Sequence, residues 1–189
     1  MKIQKFNEFS DELNEKKKGT YDFGCAMVYF KVPEIFKIQD SIDPEDLYTE
    51  EGDRTYGFEN EPHTTLLYGL HSNEIPSDQD VIDVCINVNI GPIKLHNISF
   101  FRNEKYDVLK FDAENENLEK INRKLSEKFP FTTDFPDYHP HATIAYLKPG
   151  AGDKYVEKFQ EMELTADPEM IVYSKPDGEK VTHQLKSKE

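Results

Sequence analysis

Two segments of this chain read alike, and any fold it adopts must place both. Residues 61–70 run Glu-Pro-His-Thr-Thr-Leu-Leu-Tyr-Gly-Leu, and residues 138–147 run Tyr-His-Pro-His-Ala-Thr-Ile-Ala-Tyr-Leu. Each contains Pro-His-x-Thr and continues into an apolar stretch. Successive side chains of an extended strand point to opposite faces, so His63 shares a face with Thr65, and His141 with Thr143. The second His follows the first by 141 − 63 = 78 residues, which suits a duplicated lobe. Two such strands facing each other across a cleft would offer one phosphate group a base, an acid and two hydroxyl donors.

At 189 residues the chain can build one well-buried core, or two small lobes sharing one, but not two full-sized independent domains. We expect an N-terminal amphipathic arm over residues 1–19 and a single bilobal domain over 20–189, with the lobe boundary near residue 91. The 37 acidic residues against 23 basic ones leave a formal charge of −14. Such a surface repels a long polyanion and forgoes the counterion release that drives non-specific nucleic-acid binding, so the expected partner is a small nucleotide. Cys25 and Cys85 lie in apolar stretches with neither zinc spacing nor a disulfide framework, which predicts buried free thiols. No apolar run approaches a membrane span and the N-terminus lacks the apolar core of a signal peptide; a soluble, cytoplasmic protein is expected.

Along the chain, Ile3, Phe6, Phe9 and Leu13 stand at helical spacing before a basic run, the basis of the predicted arm. Residues 24–33 form a continuous apolar run closed by Pro33, a buried strand. Residues 35–47 read as a helix interrupted at Asp43-Pro44. Residues 50–61 are acidic and turn-rich, an exposed loop leading to the first His strand. Ser77 opens a helix that runs to Val88 and is broken by Gly91-Pro92. Strands follow at 93–101 and 106–111, then a helix over 115–129 with Leu118, Ile121 and Leu125 inward. A helix at 153–162 and a hairpin of strands at 170–173 and 180–185 complete the reading. Strand, helix and strand thus recur on both sides of Gly91-Pro92, which implies an α+β architecture: two pseudo-symmetric antiparallel sheet lobes, with helices outside, around a central groove.

The two Pro-His-x-Thr segments in their wider context, Glu-Pro-His-Thr-Thr-Leu-Leu-Tyr-Gly-Leu and His-Pro-His-Ala-Thr-Ile-Ala-Tyr-Leu-Lys-Pro-Gly, resemble the signature of the two-histidine (2H) phosphoesterase superfamily, which includes LigT-like RNA ligases and cyclic phosphodiesterases. Within that superfamily they resemble the phage branch that degrades cyclic oligonucleotide immune signals (anti-CBASS). The Phe-Asn-Glu-Phe opening at residues 6–9 is similar to the N-termini of tailed-phage proteins, and Leu13-Asn14-Glu15 to a phage prohead-protease site. The resemblance implies a phosphodiesterase working in a host cytoplasm on a cyclic di- or trinucleotide, with no cofactor.

The chemistry of the residues agrees with that class. Histidine titrates near pH 6.5, so one imidazole can accept the proton of an attacking hydroxyl while another protonates the leaving oxygen. Two oppositely protonated histidines need no metal. Thr65 and Thr143 would hold the non-bridging oxygens, whose charge changes in the transition state. A single His-x-Thr is an ordinary strand pattern; the matched pair favours catalysis. The order of the two histidines, base or acid, is not fixed by sequence. A zinc site built from His139 and His141 with Asp134, Asp137 or His63 is the competing reading, but no compact ligand spacing supports it. Tyr68, Tyr106, Tyr138, Tyr146 and Phe58 are available to stack on bases, and Lys148 and Arg54 to offset phosphate charge. Of these Tyr138 and Lys148 are the expected substrate-binding residues. Action on RNA ends, as a 2′,3′-cyclic phosphodiesterase or a 2′-5′ RNA ligase-like enzyme, is the alternative within the superfamily; nucleotide sequestration without cleavage is the alternative outside it.

Overall fold

The computed structural model describes residues 22–53 and 56–186, so the expected arm at 1–19 and Arg54 lie outside the described residues. The first strand, β1 (Gly24–Lys31), is buried along its length except at Lys31. Helix α1 (Glu34–Asp40) follows Pro33 directly. It is shorter than the sequence predicts, and after Asp43-Pro44 the chain makes one 3-10 turn over Pro44–Asp46. Residues 47–48 and 57–59 lie beside a strand from the far half of the chain, ahead of β2 (His63–Leu70).

Helix α2 (Asp78–Ile86) begins at Ser77, whose hydroxyl accepts from the Gln79 N–H as an N-cap. Strands β3 (Ile93–Arg102) and β4 (Asp107–Glu114) form the predicted hairpin, each longer than its apolar run. Helix α3 (Glu116–Lys128) buries Leu118, Ile121 and Leu125 on one face. Its cap, Asn115, accepts from Asn117 N–H and also donates to the carbonyls of Ile90 and Pro92, which pins the helix start to the Gly91-Pro92 turn. Strand β5 (His141–Leu147), helix α4 (Asp153–Phe159), β6 (Leu164–Ser174) and β7 (Lys180–Gln184) complete the chain.

All strand pairs are antiparallel, in the order β2-β1-β6-β3-β4-β5, with β7 added to β6. The sequence predicts only the last stretch of β6. Asp167-Pro168-Glu169 reads as a break, yet Pro168 sits at the irregularity where the pairing shifts between Tyr29 and Phe30, and a strand tolerates proline at such a point. Through those residues β6 passes from β3 to β1 and so belongs to both halves of the sheet. The helices cover one face, where residues such as Val28, Leu66, Ile82 and Leu125 form the main core. Cross-strand partners share a face, so the register Tyr29↔His63, Met27↔Thr65, Lys110↔Thr143 and Asp112↔His141 puts both His-Thr pairs on the opposite face. No helix among the described residues is long and apolar enough to cross a membrane. Cys25 and Cys85 are buried free thiols, and burial pushes each up to about 12.

Candidate active site

Proline before each histidine has a structural consequence. Pro62 and Pro140 carry no N–H, and their carbonyls make the first rung of each ladder, accepting from Phe30 N–H at 3.1 Å and Ala113 N–H at 2.9 Å. The carbonyl preceding each proline turns back toward the imidazole. His63 Nδ1 lies 2.8 Å from the Glu61 oxygen, and His141 Nδ1 lies 2.9 Å from the His139 oxygen. Both rings therefore carry their proton on Nδ1 as donors to a backbone acceptor, which makes Nε2 the nitrogen that exchanges a proton. Each ring also meets an aromatic partner: Tyr29 stacks on His63 at 5.2 Å, and Phe101 stands edge-on to His141 at 4.8 Å.

The two copies differ in their charged neighbours. Beside His63 the Glu59 carboxylate stands 3.9 Å from Nδ1, and the Glu59 side chain is 1 % exposed. Next to His141 lies Lys110, itself buried, paired with Asp112 and set 4.9 Å over the Phe101 ring. Burial, with the Lys110 and His63 charges adding to it against the His139 carbonyl, pushes the His141 imidazole down to about 4. His141 is thus neutral across the ordinary pH range. Thr65 also lies within hydrogen-bonding reach of the Cys25 thiol, whereas neighbouring Thr64 faces the core, its hydroxyl buried and without a hydrogen-bond partner.

Strands β2 and β5, the two ends of the sheet path, touch each other. Between them Thr65 and His141 open into a cavity of about 750 Å³, within the ~300–1,000 Å³ that encloses small-molecule ligands. Its walls carry the rings of Tyr68, Phe101, Phe131, Phe135 and Tyr138 and the carboxylate of Asp137. Among the described residues, none that line it is Lys or Arg. The outer wall is residues 130–138, which run beside β2: Thr132 N–H donates to the Gly69 carbonyl, and Leu70 bridges to Phe131. Gly69 is required there. Its φ is +95°, and a Cβ on it would stand 1.8 Å from the Thr132 carbonyl oxygen.

Of the residues singled out from sequence, Thr65, His141, Tyr68 and Tyr138 line this cavity, and Tyr138 Oη donates to the Thr65 carbonyl at 2.8 Å. His63 and Thr143 occupy the same sheet face one alternate position away. Lys148 stands beyond the other end of β5, seven residues from His141 and roughly 23 Å along an extended strand. Its Nζ donates to the Glu45 carbonyl. Tyr106 and Tyr146 pack with Tyr56 and Tyr48 in a separate aromatic cluster, and Phe58 packs on the main core. His139 is exposed at the cavity rim. Sequence reasoning missed Phe101, Phe131 and Phe135, and it missed Glu59 and Lys110. Only Lys110 left a signal, as the one basic residue of β4, set between Leu109 and Phe111. Among the described residues no cluster of three or more His, Cys, Asp or Glu side chains has metal-ligating geometry.

The sequence matches the 2′-5′ RNA ligase superfamily over residues 35–172. No curated protein matches it. Among solved structures it is similar to Kluyveromyces marxianus Usb1 with uridine monophosphate, at a TM-score of 0.53 and 9 % identity, covering 88 % of this chain and 99 % of that one. At that identity the likeness is one of fold.

Proposed function

The chain belongs to the 2′-5′ RNA ligase superfamily of LigT-like two-histidine phosphoesterases, a phosphodiesterase-type enzyme, and on that premise we propose that it hydrolyses a cyclic di- or trinucleotide without a metal, in the manner of phage counter-defence (anti-CBASS) enzymes. The observation that carries this reading is the mirrored anchoring of His63 and His141 on one sheet face, with His141 and Thr65 opening into a cavity whose described walls are rich in aromatic rings and hold no lysine or arginine.

In the first step a ribose 2′-oxygen attacks the adjacent phosphorus. Its proton passes to Nε2 of one imidazole, the P–O5′ bond breaks, and the departing O5′ takes a proton from Nε2 of the other. A 2′,3′-cyclic phosphate results. Water then opens it with the proton transfers reversed, leaving a linear 3′-phosphate and restoring both rings. Thr65 and Thr143, two positions on from their histidines on the same face, donate to the non-bridging oxygens. The aromatic cavity takes the base of one nucleoside, where stacking is worth ~1–3 kcal/mol per base. Its uncharged polar groups, Asn122, Ser126 and Thr133, stand where a base edge would meet them. A net charge of −14 favours a substrate of few phosphates over an RNA tail.

The test is a panel of cyclic dinucleotides, cyclic trinucleotides, 2′-5′ oligoadenylate and RNA bearing a 2′,3′-cyclic end, incubated in large molar excess and analysed by mass spectrometry after denaturing the protein. Conversion of a cyclic oligonucleotide to a linear 3′-phosphate is the expected result. Preferential turnover of the RNA end would reassign the enzyme to RNA processing, and stoichiometric recovery of one intact nucleotide would make it a sequestering protein.

A further inference from the structure

Glu59 is a buried carboxylate that the two-histidine chemistry does not itself require. Its backbone is fastened to the opposite half of the protein: Glu59 N–H donates to the Ile144 carbonyl at 3.0 Å, one residue after Thr143. Gln39, also buried, donates through Nε2 to both the Glu59 carbonyl (2.6 Å) and the Ile144 carbonyl (2.9 Å). The Glu59 side chain turns to the other strand. Oε1 accepts from Glu61 N–H at 2.9 Å, which fastens the residue whose carbonyl meets His63 Nδ1, and Oε2 stands 3.9 Å from that same nitrogen. One residue thus sets the first histidine strand against the second and supplies a negative charge to only one of the two rings.

Resting on the phosphodiesterase reading above, we propose that Glu59 is a positioning residue that makes His63 the proton donor of the pair, leaving His141 as the acceptor. Glu59 Oε2 and His63 Nδ1 stand 3.9 Å apart with both side chains withdrawn from water, a geometry in which a carboxylate and an imidazolium attract each other with little screening. Facing His63 from other elements are Tyr29 on β1, with Lys180 of β7 reaching the same ring (Nζ 5.7 Å from its centroid), and His141 across the groove. The charged groups facing His141 are Lys110 and Asp112 on β4, paired with each other, and His63. An acidic group, Glu59, thus stands beside one ring and a basic group, Lys110, beside the other. The division also orients the substrate. The aromatic cavity opens beside His141, so the base it holds belongs to the nucleoside whose 2′-hydroxyl attacks, and the nucleoside released at O5′ lies on the His63 side.

The experiment compares pH–rate profiles of the wild type, Glu59→Gln and Glu59→Asp on two probes. In 3′,3′-cyclic diadenylate the leaving alkoxide needs a proton; in adenosine 3′-(4-nitrophenyl phosphate) the leaving phenolate does not. Glu59→Gln keeps an acceptor for Glu61 N–H and removes the charge. It should lower kcat on the cyclic dinucleotide about tenfold at pH values above the shifted limb while leaving the nitrophenyl ester within a few-fold of wild type. Losing the carboxylate makes the donor easier to deprotonate, so the alkaline limb should move down by about one pH unit, and Glu59→Asp should restore most of it. Equal loss on both probes with unmoved limbs would reduce Glu59 to a structural role and overturn the proposal. Should Glu59→Gln not fold, Lys110→Met carries the test: removing the cation beside His141 must move the acidic limb upward, and a shift of the alkaline limb instead would reverse the assignment. A wild type that cleaves neither probe would refute the functional reading itself, a result distinct from both.

Discussion

Lowering the pH should cost this protein stability through His141 in particular, and the amount follows from its burial. The folded protein holds this imidazole at about 4 against an ordinary value of 6.5, chiefly because burial disfavours the charged ring. Between those two values the unfolded chain binds the proton and the folded protein does not. The contribution is therefore intact above the unfolded pKa and is lost as the pH falls through the window. From pH 7.5 to 4.5 the loss is about 2–3 kcal/mol. The Asp46 and Asp112 carboxylates, both held below their ordinary 3.8, release their own contributions mostly at still lower pH. His141→Asn removes the titration while keeping a side-chain donor for the His139 carbonyl. Urea unfolding followed by circular dichroism at pH 7.5, 6, 5 and 4.5 should show the wild type losing about 2–3 kcal/mol more than the variant over that range. Parallel pH dependences would mean that His141 is protonated or solvated in the folded protein, and the case for it as a neutral base would fall.

Three further outcomes separate neighbouring residues by role. Thr64→Val removes a buried hydroxyl with no hydrogen-bond partner, so it should stabilise by about 1 kcal/mol without touching turnover, whereas Thr65→Val should lower kcat by ~10²-fold at little cost in stability; chemical denaturation and steady-state kinetics distinguish them. Gly69→Ala forces both a left-handed backbone and a collision with the Thr132 carbonyl, and should destabilise by at least about 1–3 kcal/mol in thermal unfolding. Phe135→Ala should raise KM roughly 5- to 150-fold for a nucleotide substrate, the worth of one stacked base, and leave bis(4-nitrophenyl) phosphate, which has no base, unaffected.

The sequence announced most where its information is local. Pro-His-x-Thr specifies a strand, a face and, through the proline, a carbonyl aimed at the ring, and it does so twice. Ser77 and Asn115 marked helix starts because capping is a contact over two residues. Other features depend on partners distant in the chain. Pro168 looked like a strand break because only the shifted register opposite Tyr29 and Phe30 makes room for it. Phe131 and Phe135 lie in a stretch without periodicity and become cavity walls because Gly69 lets residues 130–132 approach β2. Glu59 reads as one more acid in a solvated loop, and it is buried only because Ile144 and Gln39 hold its backbone. Lys148 follows the second His-x-Thr closely in sequence, but an extended strand carries it away from His141.

The central claim is that His63 and His141 together break a phosphodiester without a metal. The direct measurement is turnover of a cyclic oligonucleotide by the wild type, His63→Ala and His141→Ala, each with and without EDTA, with folding checked by circular dichroism. The account predicts wild-type activity indifferent to EDTA and loss of ~10²–10⁴-fold or more in each folded variant. Activity that survives either substitution, or that EDTA abolishes, would contradict it.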